Sequence, residues 1–313
     1  MVQFLLSRLL SAIPTLLLVT VLVFLLTRLV PGDPALLMLG DMATEASLAD
    51  LRHSMGLDQS LPQQFLIWFS QVLHGDFGHS IQTGQAVLPL ILQRFGVTLS
   101  VVLAAIIIAS LLAVPAGMLA AWKQNSRWDI GLVMFSTFLL SIPSFWMGLL
   151  VLLTFGLSLG WLPVVGYVSV ADNLQLGVLY LLMPVLTLVL VEMGALVRMM
   201  RASTLEVLRL DYVTHARAKG LPERRVLARH VFPNAFGPTW TLIGLTLGNL
   251  LSGVAVTETV FSLPGLGRLL VDAIYARDYP VIQGCMLFIA ALYVLTNLLI
   301  DALYPLFNPR VTA

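Results

Sequence analysis

GVTLSVVLAAIIIASLLAVPAGMLAAW, residues 96–122, carries no charged side chain from end to end. As an α-helix, 27 residues extend about 40 Å, whereas about 20 cross the hydrocarbon core of a bilayer. The rest of the 313-residue chain has the same character: 58% of it is hydrophobic and 11% charged. The mean hydropathy is +0.94. A water-soluble domain carries about 25% charged residues, and a chain this apolar cannot cover itself with polar surface. Lipid tails remove that requirement, provided every backbone polar group is paired internally. The fold expected is an all-α membrane bundle.

Working outward, further uncharged runs of spanning length are Leu9–Thr27, Ile130–Ala171, Asn173–Val191, Val231–Thr257 and Tyr279–Ile300. The run from Ile130 is too long for one helix, and Gly160-Trp161-Leu162-Pro163 breaks it. A helix to about Leu159 and an interfacial loop carrying Trp161 and Tyr167 are expected. Leu9–Thr27 follows Arg8 as the core of a signal peptide would. It exceeds the usual 7–15 residues, however, and Pro31-Gly32-Asp33-Pro34 follows it instead of a small-residue cleavage site. It reads as a retained span. Six spans result: a first helix in residues 1–30, a cap segment at 31–95 and a five-helix core at 96–313.

Positive charge orients the bundle. With the N-terminus inside, the cytoplasmic segments hold Arg8, Lys123, Arg127, eight basic residues from Arg198 to Arg229, and Arg310. The outer side holds only Arg28, Arg52, Arg94, Arg268 and Arg277. Both termini are therefore expected in the cytosol. The 31–95 segment, with runs such as Gln63-Gln64-Phe65-Leu66-Ile67-Trp68, reads as an ordered periplasmic cap.

The inner segment 198–236 is polar yet patterned. Tyr212 to Ala235 reads YVTHARAKGLPERRVLARHVFPNA. Asp211 is expected to cap a short helix with Val213, Ala216 and Ala218 on its apolar positions. Gly220 suits a left-handed stop, and Pro222 the first turn of a second helix. Glu223 complements that turn's positive end. Val226, Leu227 and His230 follow at helical spacing, and Pro233 is expected to close the element. Two short helices bent at Gly220, with eight basic and three acidic residues between Arg198 and Phe236, make a surface for a protein partner or for anionic lipid.

The run Ala216-Arg217-Ala218-Lys219-Gly220, with Arg229-His230 and Asn234-Ala235 after it, resembles the cytoplasmic coupling loop of ABC importer permeases. The similarity is to the oligopeptide/dipeptide/nickel branch, and it extends over nearly the whole chain. Pro31-Gly32-Asp33-Pro34, Gly56-Leu57-Asp58, Gly75-Asp76-Phe77-Gly78-His79-Ser80 and Ser141-Ile142-Pro143-Ser144-Phe145-Trp146 match in order. Glu258-Thr259-Val260-Phe261, Pro264-Gly265-Leu266-Gly267-Arg268-Leu269-Leu270, Arg277-Asp278-Tyr279-Pro280 and Asn308-Pro309-Arg310 continue the series. One departure is that His215-Ala216, preceded by Thr214, stands where the wider family often has Glu before two alanines. The resemblance implies a permease subunit in the bacterial inner membrane, importing di- or oligopeptides, or else nickel, a metal chelate or glutathione. It implies a related second permease, two cytoplasmic ATPase subunits that bind ATP and Mg, a periplasmic binding protein, and no nucleic acid. His215, Ala216, Arg217, Ala218, Lys219, Gly220, Leu221, Arg229 and Asn234 would engage the ATPase.

No G-x-x-x-x-G-K-[ST] loop occurs in the chain, so this subunit is expected to have no ATPase site and no cofactor of its own. The competing class is an ion-coupled secondary transporter, which would use Glu192. Ionisable groups at membrane depth invite a functional reading. Glu192 in the fourth span is a candidate for the translocation path, with Pro143 as a candidate kink in the third span and Glu258 near the outer end of the fifth. Pro115 and Pro184 are further candidate kinks. Gly244 and Gly248 share one helix face and permit close approach. An intramembrane enzyme is disfavoured, since all five histidines (His53, His74, His79, His215, His230) fall in loops. His74 and His79 read as solvated, not as a metal site. Cys285, the only cysteine, reads as a small buried hydrophobe.

Overall fold

The structure, a computed structural model, describes residues 2–29, 36, 44–54 and 56–303. The motifs Pro31–Pro34 and Asn308–Arg310 lie outside the described residues. Thirteen α-helices follow one another among the described residues: α1 (Val2–Leu29), α2 (Glu45–Ser54), α3 (Leu61–Leu73), α4 (Val87–Trp122), α5 (Arg127–Ser141), α6 (Ser144–Val151), α7 (Leu174–Leu208), α8 (Asp211–Ala218), α9 (Glu223–Val226), α10 (Phe232–Gly253), α11 (Ala255–Val260), α12 (Leu266–Ala276) and α13 (Tyr279–Leu303). Among the described residues no strand forms, and an isolated antiparallel bridge pairs His79 with Ala86.

Among the described residues four helices are long and apolar enough to cross a membrane: Leu10–Arg28, Val87–Trp122, Leu174–Leu208 and Tyr279–Leu303. The third expected span is broken sharply at Pro143, the candidate kink within it. It is two pieces, Arg127–Ser141 and Ser144–Ser158, bent by 101°. Proline explains the break: it lacks an N–H and drives the residue before it out of the helical region. Ile142 accordingly sits at φ −94°, ψ 123°, and Pro143 caps the next helix at φ −59°, ψ 143°. That second piece relaxes into a π-helical stretch, Leu152–Ser158, and Gly160 at φ +64° turns the chain out, where the sequence placed the stop.

Two boundaries also move. Helix α4 starts at Val87, inside the expected cap segment, with Pro89 in its first turn, where a backbone N–H would have no intrahelical partner. Helix α7 runs through Arg198 to Leu208, so the first eleven residues of the expected inner loop are helix. Nothing in Arg198–Leu208 stops a helix that is already formed. Pro115 and Pro184 lie within α4 and α7, and both helices continue across them.

Helix α7 is the axis of the bundle, contacting α4, α5, α6 and α10. Small residues set its distances. A Cβ on Gly117 of α4 would lie 2.7 Å from Met200 Cβ and from the Val197 carbonyl oxygen, and one on Gly194 would lie 2.8 Å from the Ser136 oxygen. Val101, Ala105, Ala109, Leu188, Leu196 and Leu251 belong to the core where α4, α7 and α10 meet. Helix α10 packs on α7, α13 and α4. Its Gly244 and Gly248 face Ile300 and Tyr293 of α13, so the close approach anticipated at these glycines is made within this chain.

Candidate functional site

Helices α8 and α9 project at the end of the bundle where α4 finishes and α7 leads on. They fold as anticipated around Gly220, whose φ is +74°. A Cβ there would meet nothing within 4 Å, so backbone conformation, not crowding, requires glycine. Asp211 is the first helical residue, with Leu210 in the capping position. Pro222 caps α9 in extended conformation, one residue ahead of the helix. Arg217 donates to Glu223 across the bend, Nη2 to Oε1 at 2.6 Å and Nε to Oε2 at 3.2 Å. That carboxylate holds the Arg217 guanidinium above its ordinary value.

The pair has its own buried footing. Val213, Ala216, Val226, Val231 and Ala235 are buried with Met200 and Val207 of α7, and Val114 and Met118 of α4 pack against them. His215, Arg217, Ala218, Lys219, Gly220, Arg229 and Asn234 remain exposed, with Leu221 half-buried. Ala218 thus faces outward, contrary to its assignment as an apolar footing. Pro233 does not end the element. Leu227–Val231 are π-helical and lead directly into α10, whose second residue is Pro233. The second arm of the bend is therefore continuous with a bundle helix.

Beside this footing lies a buried ion pair that the residue pattern did not reveal. Asp129 of α5, 3% exposed, accepts from Arg201 of α7 in fork geometry, Nε to Oδ1 at 2.6 Å and Nη2 to Oδ2 at 2.8 Å. The Asn125 N–H donates to it at 2.9 Å. Arg198 and Arg201 line a cleft of about 790 Å³ with Thr137, Leu140 and Leu242.

The three candidate path residues separate. Glu192 is half-buried on α7, without a hydrogen bond or ion pair among the described residues. Pro143 is exposed at the 101° bend. Glu258 is fully buried. Thr98 Oγ donates to its Oε1 at 2.5 Å, and the Arg268 N–H to its Oε2 at 2.9 Å. Thr98 Oγ in turn accepts from the Leu266 N–H at 2.9 Å. The carboxylate so caps α12 and ties it to α4, and Gly265 passes so close that a Cβ would lie 2.0 Å from Oε1.

At the Val87 end of α4 a second long-range clasp forms. Asp278, 3% exposed, accepts from Ser80 Oγ at 2.5 Å and from the Ile81 N–H at 3.2 Å. Two of the quoted fragments, Gly75–Ser80 and Arg277–Pro280, are thereby brought together. Arg277 at φ +55° turns the chain to present Asp278. His74 Nδ1 lies 2.7 Å from the Ser70 carbonyl oxygen. Cys285 is buried. An open cleft of about 1030 Å³ at this end is lined by Arg94, Ser100, Tyr167, Asp172 and Pro264.

Residues 113–313 match the family described as binding-protein-dependent transport system inner membrane component, and residues 1–102 match its N-terminal companion. The chain belongs to this family. Its members are membrane permeases of ABC transporters, and the exposed bend at Gly220 falls within the matched region. A probable peptide ABC transporter permease protein of Sinorhizobium fredii is 42% identical over 98% of both chains. The di/tripeptide transport system permease protein DppB of Pseudomonas aeruginosa is 39% identical, and the dipeptide transport system permease protein DppB of Escherichia coli 38%, each over 99% of both chains. This permease, like its family, is a multi-pass membrane protein.

Proposed function

We propose that this permease is the membrane-spanning subunit of an ATP-driven importer of di- or oligopeptides in the bacterial inner membrane. The observation that carries the reading is the exposed α8–α9 bend, whose footing is made by α7 and α4 and whose second arm runs into α10. A partner gripping Lys219, Gly220 and Leu221 would move two bundle helices directly. His215, Ala216, Arg217, Ala218, Arg229 and Asn234 complete the contact, Ala216 through the footing beneath it. The grip is assigned to two cytoplasmic ATPase subunits, which bind ATP and Mg. A related second permease and a periplasmic binding protein complete the system. Peptide is the assigned cargo because the relatives at 38–42% identity are described as peptide, dipeptide or di/tripeptide permeases.

In this reading the chain crosses six times, by its uncharged runs, with both termini cytosolic, by its distribution of basic residues. The bent α5–α6 pair counts as one span and α10 as another. At 22 residues, α10 reaches about 33 Å. Its prolines, Asn234 and Asn249 lower its hydropathy, which neighbours on three sides permit. Glu192, together with the bend at Pro143, is assigned to the path between the clefts at the two ends. Buried Glu258 is assigned to holding that path's wall.

Cysteine placed at Lys219 in a Cys285→Ala background tests the coupling claim. Labelling by a membrane-impermeant maleimide only in inside-out vesicles, with crosslinking to an ATPase chain, is the expected result. Labelling from the periplasmic side would overturn it. Uptake of a radiolabelled dipeptide that persists under a collapsed ion gradient and stops without ATP would separate this reading from an ion-coupled transporter.

A further inference from the structure

The α1–α13 seam contains a polar cavity that the coupling and path residues do not use. Its volume is about 460 Å³, and Arg28, Gln64, Trp68, Asp76, Tyr279 and Gln283 are among the residues that line it. Gln283 Nε2 donates to Thr27 Oγ at 2.6 Å, which pins the two helices at that level. Three buried polar atoms in the lining lack a hydrogen-bond partner: Arg28 Nε, Gln64 Oε1 and the Tyr279 hydroxyl. Such atoms are rare in folded proteins and ask for a ligand or ordered water. Tyr279 is 7% exposed and Gln64 9%. The Gln64 amide is held in one orientation, because its Nε2 donates to the Leu57 and Gln59 carbonyls at 3.2 and 2.9 Å. Its oxygen therefore offers an acceptor, while Arg28 and Tyr279 offer donors. Asp76 adds a negative charge on the same wall.

Depth and shape narrow the ligand. Arg28 ends the apolar window of α1, the level at which a spanning helix meets headgroups. Arg28 also lies over the Phe24 ring, 5.3 Å from its centroid, and Trp68 packs on Phe24 at 5.6 Å. Deeper along the same seam, Thr15, Leu16 and Val19 of α1 and Ile289, Ala290 and Tyr293 of α13 line an apolar groove of about 350 Å³. Leu18, Leu22 and Leu26 of α1 are 61%, 47% and 51% exposed, which puts the helix at the lipid boundary of the chain. A polar cavity at headgroup level above an apolar groove fits an amphiphile better than a soluble solute.

We propose that this seam binds one zwitterionic phospholipid of the phosphatidylethanolamine class. Its phosphodiester receives hydrogen bonds from Arg28 and Tyr279. Its ammonium donates to Gln64 Oε1 and faces Asp76, and an acyl chain lies in the groove. The proposal rests on the multi-pass membrane assignment and is independent of the cargo and of the coupling mechanism.

Native mass spectrometry of the full chain, purified in mild detergent with its co-purifying subunits, reads the bound lipid directly. One phosphatidylethanolamine per chain is expected, with occupancy reduced about tenfold in Tyr279→Phe and in Arg28→Gln, as for loss of a hydrogen bond to a charged group. Added dioleoyl phosphatidylethanolamine should raise the thermal midpoint of the wild type and leave that of Tyr279→Phe unchanged. Without added lipid, a delipidated Tyr279→Phe should melt with the delipidated wild type, since its hydroxyl has no protein partner to lose. Arg94→Gln, in the other cleft, should retain the lipid. Equal occupancy in wild type, Tyr279→Phe and Arg28→Gln would overturn the proposal. So would equal stabilisation by dioleoyl phosphatidylglycerol, which lacks the ammonium, or by soluble glycerophosphoethanolamine, which lacks the chains.

Discussion

Glu258 shows how one side chain organises this permease. Its carboxylate accepts from Thr98 and from the α12 backbone while Gly265 passes against it. Glu258→Ala leaves those buried donors unpaired and is expected to cost about 2–3 kcal/mol, read as a shift in the SDS-unfolding midpoint of purified protein. Gly265→Ala should be destabilising on its own, because its Cβ would overlap Oε1. Combined with Glu258→Ala it should cost less than the sum, since the second change removes the first one's clash. Strict additivity would show that the contact is not what holds the loop. A milder case is His53 in the last turn of α2, whose Nδ1 lies 2.7 Å from Asp58 Oδ2 on the exposed surface. Hydrogen bonding to Asp58 raises the His53 value above 6.5, and the same contact lowers Asp58 below 3.8. The pair is complete between those two displaced values. It weakens as pH rises through that of His53 or falls through that of Asp58. In an NMR titration, Asp58→Asn should move the His53 midpoint downward towards its ordinary value. The sequence could place these residues in segments, but the letter for a carboxylate does not say whether the folded chain buries it.

Among the elements, the α8–α9 bend was the most legible. A glycine followed after one residue by proline and glutamate is a local stop-and-start signal, and local signals survive folding. Gly220→Ala places a side chain at φ +74° at a cost of about 1 kcal/mol, and Gly220→Asn should cost less because Asn tolerates that region. Gly220→Pro cannot adopt the angle at all. The chain should still insert, as its spans lie elsewhere, but ATP hydrolysis should no longer drive uptake; wild-type uptake in reconstituted vesicles would contradict the coupling role. Pro233 was misread for a reason of the same kind. Proline stops a helix that precedes it but suits the first turn of one that follows, and only the continuous backbone from Leu227 into α10 distinguishes the two. The bend at Pro143 is the converse: an uncharged run read as one span holds two helices at 101°.

Across the whole molecule, three buried carboxylates join segments far apart in the chain: Asp129 with Arg201, Glu258 with Thr98, and Asp278 with Ser80. Arg201→Ala would strand a buried charge beside the footing of the α8–α9 bend, a change that costs about 3–5 kcal/mol in comparable sites. Arg201→Lys should recover only part of it, because a lysine cannot reproduce the two-pronged contact. Unfolding midpoints that rank wild type, Lys and Ala in that order would bear this out, and a Lys variant equal to wild type would not. Composition and uncharged runs were enough to establish a membrane bundle, since solvent preference is a property of each side chain and adds along the chain. The stop at Gly160 and the turn at Gly220 were equally readable, because glycine's freedom acts on its own residue. The partners of Asp129, Glu258 and Asp278, the placement of the α10 glycines on α13 and the cavity between α1 and α13 were decided by tertiary structure alone. Each depends on bringing together groups that are remote in sequence, and no window along the chain carries that distance.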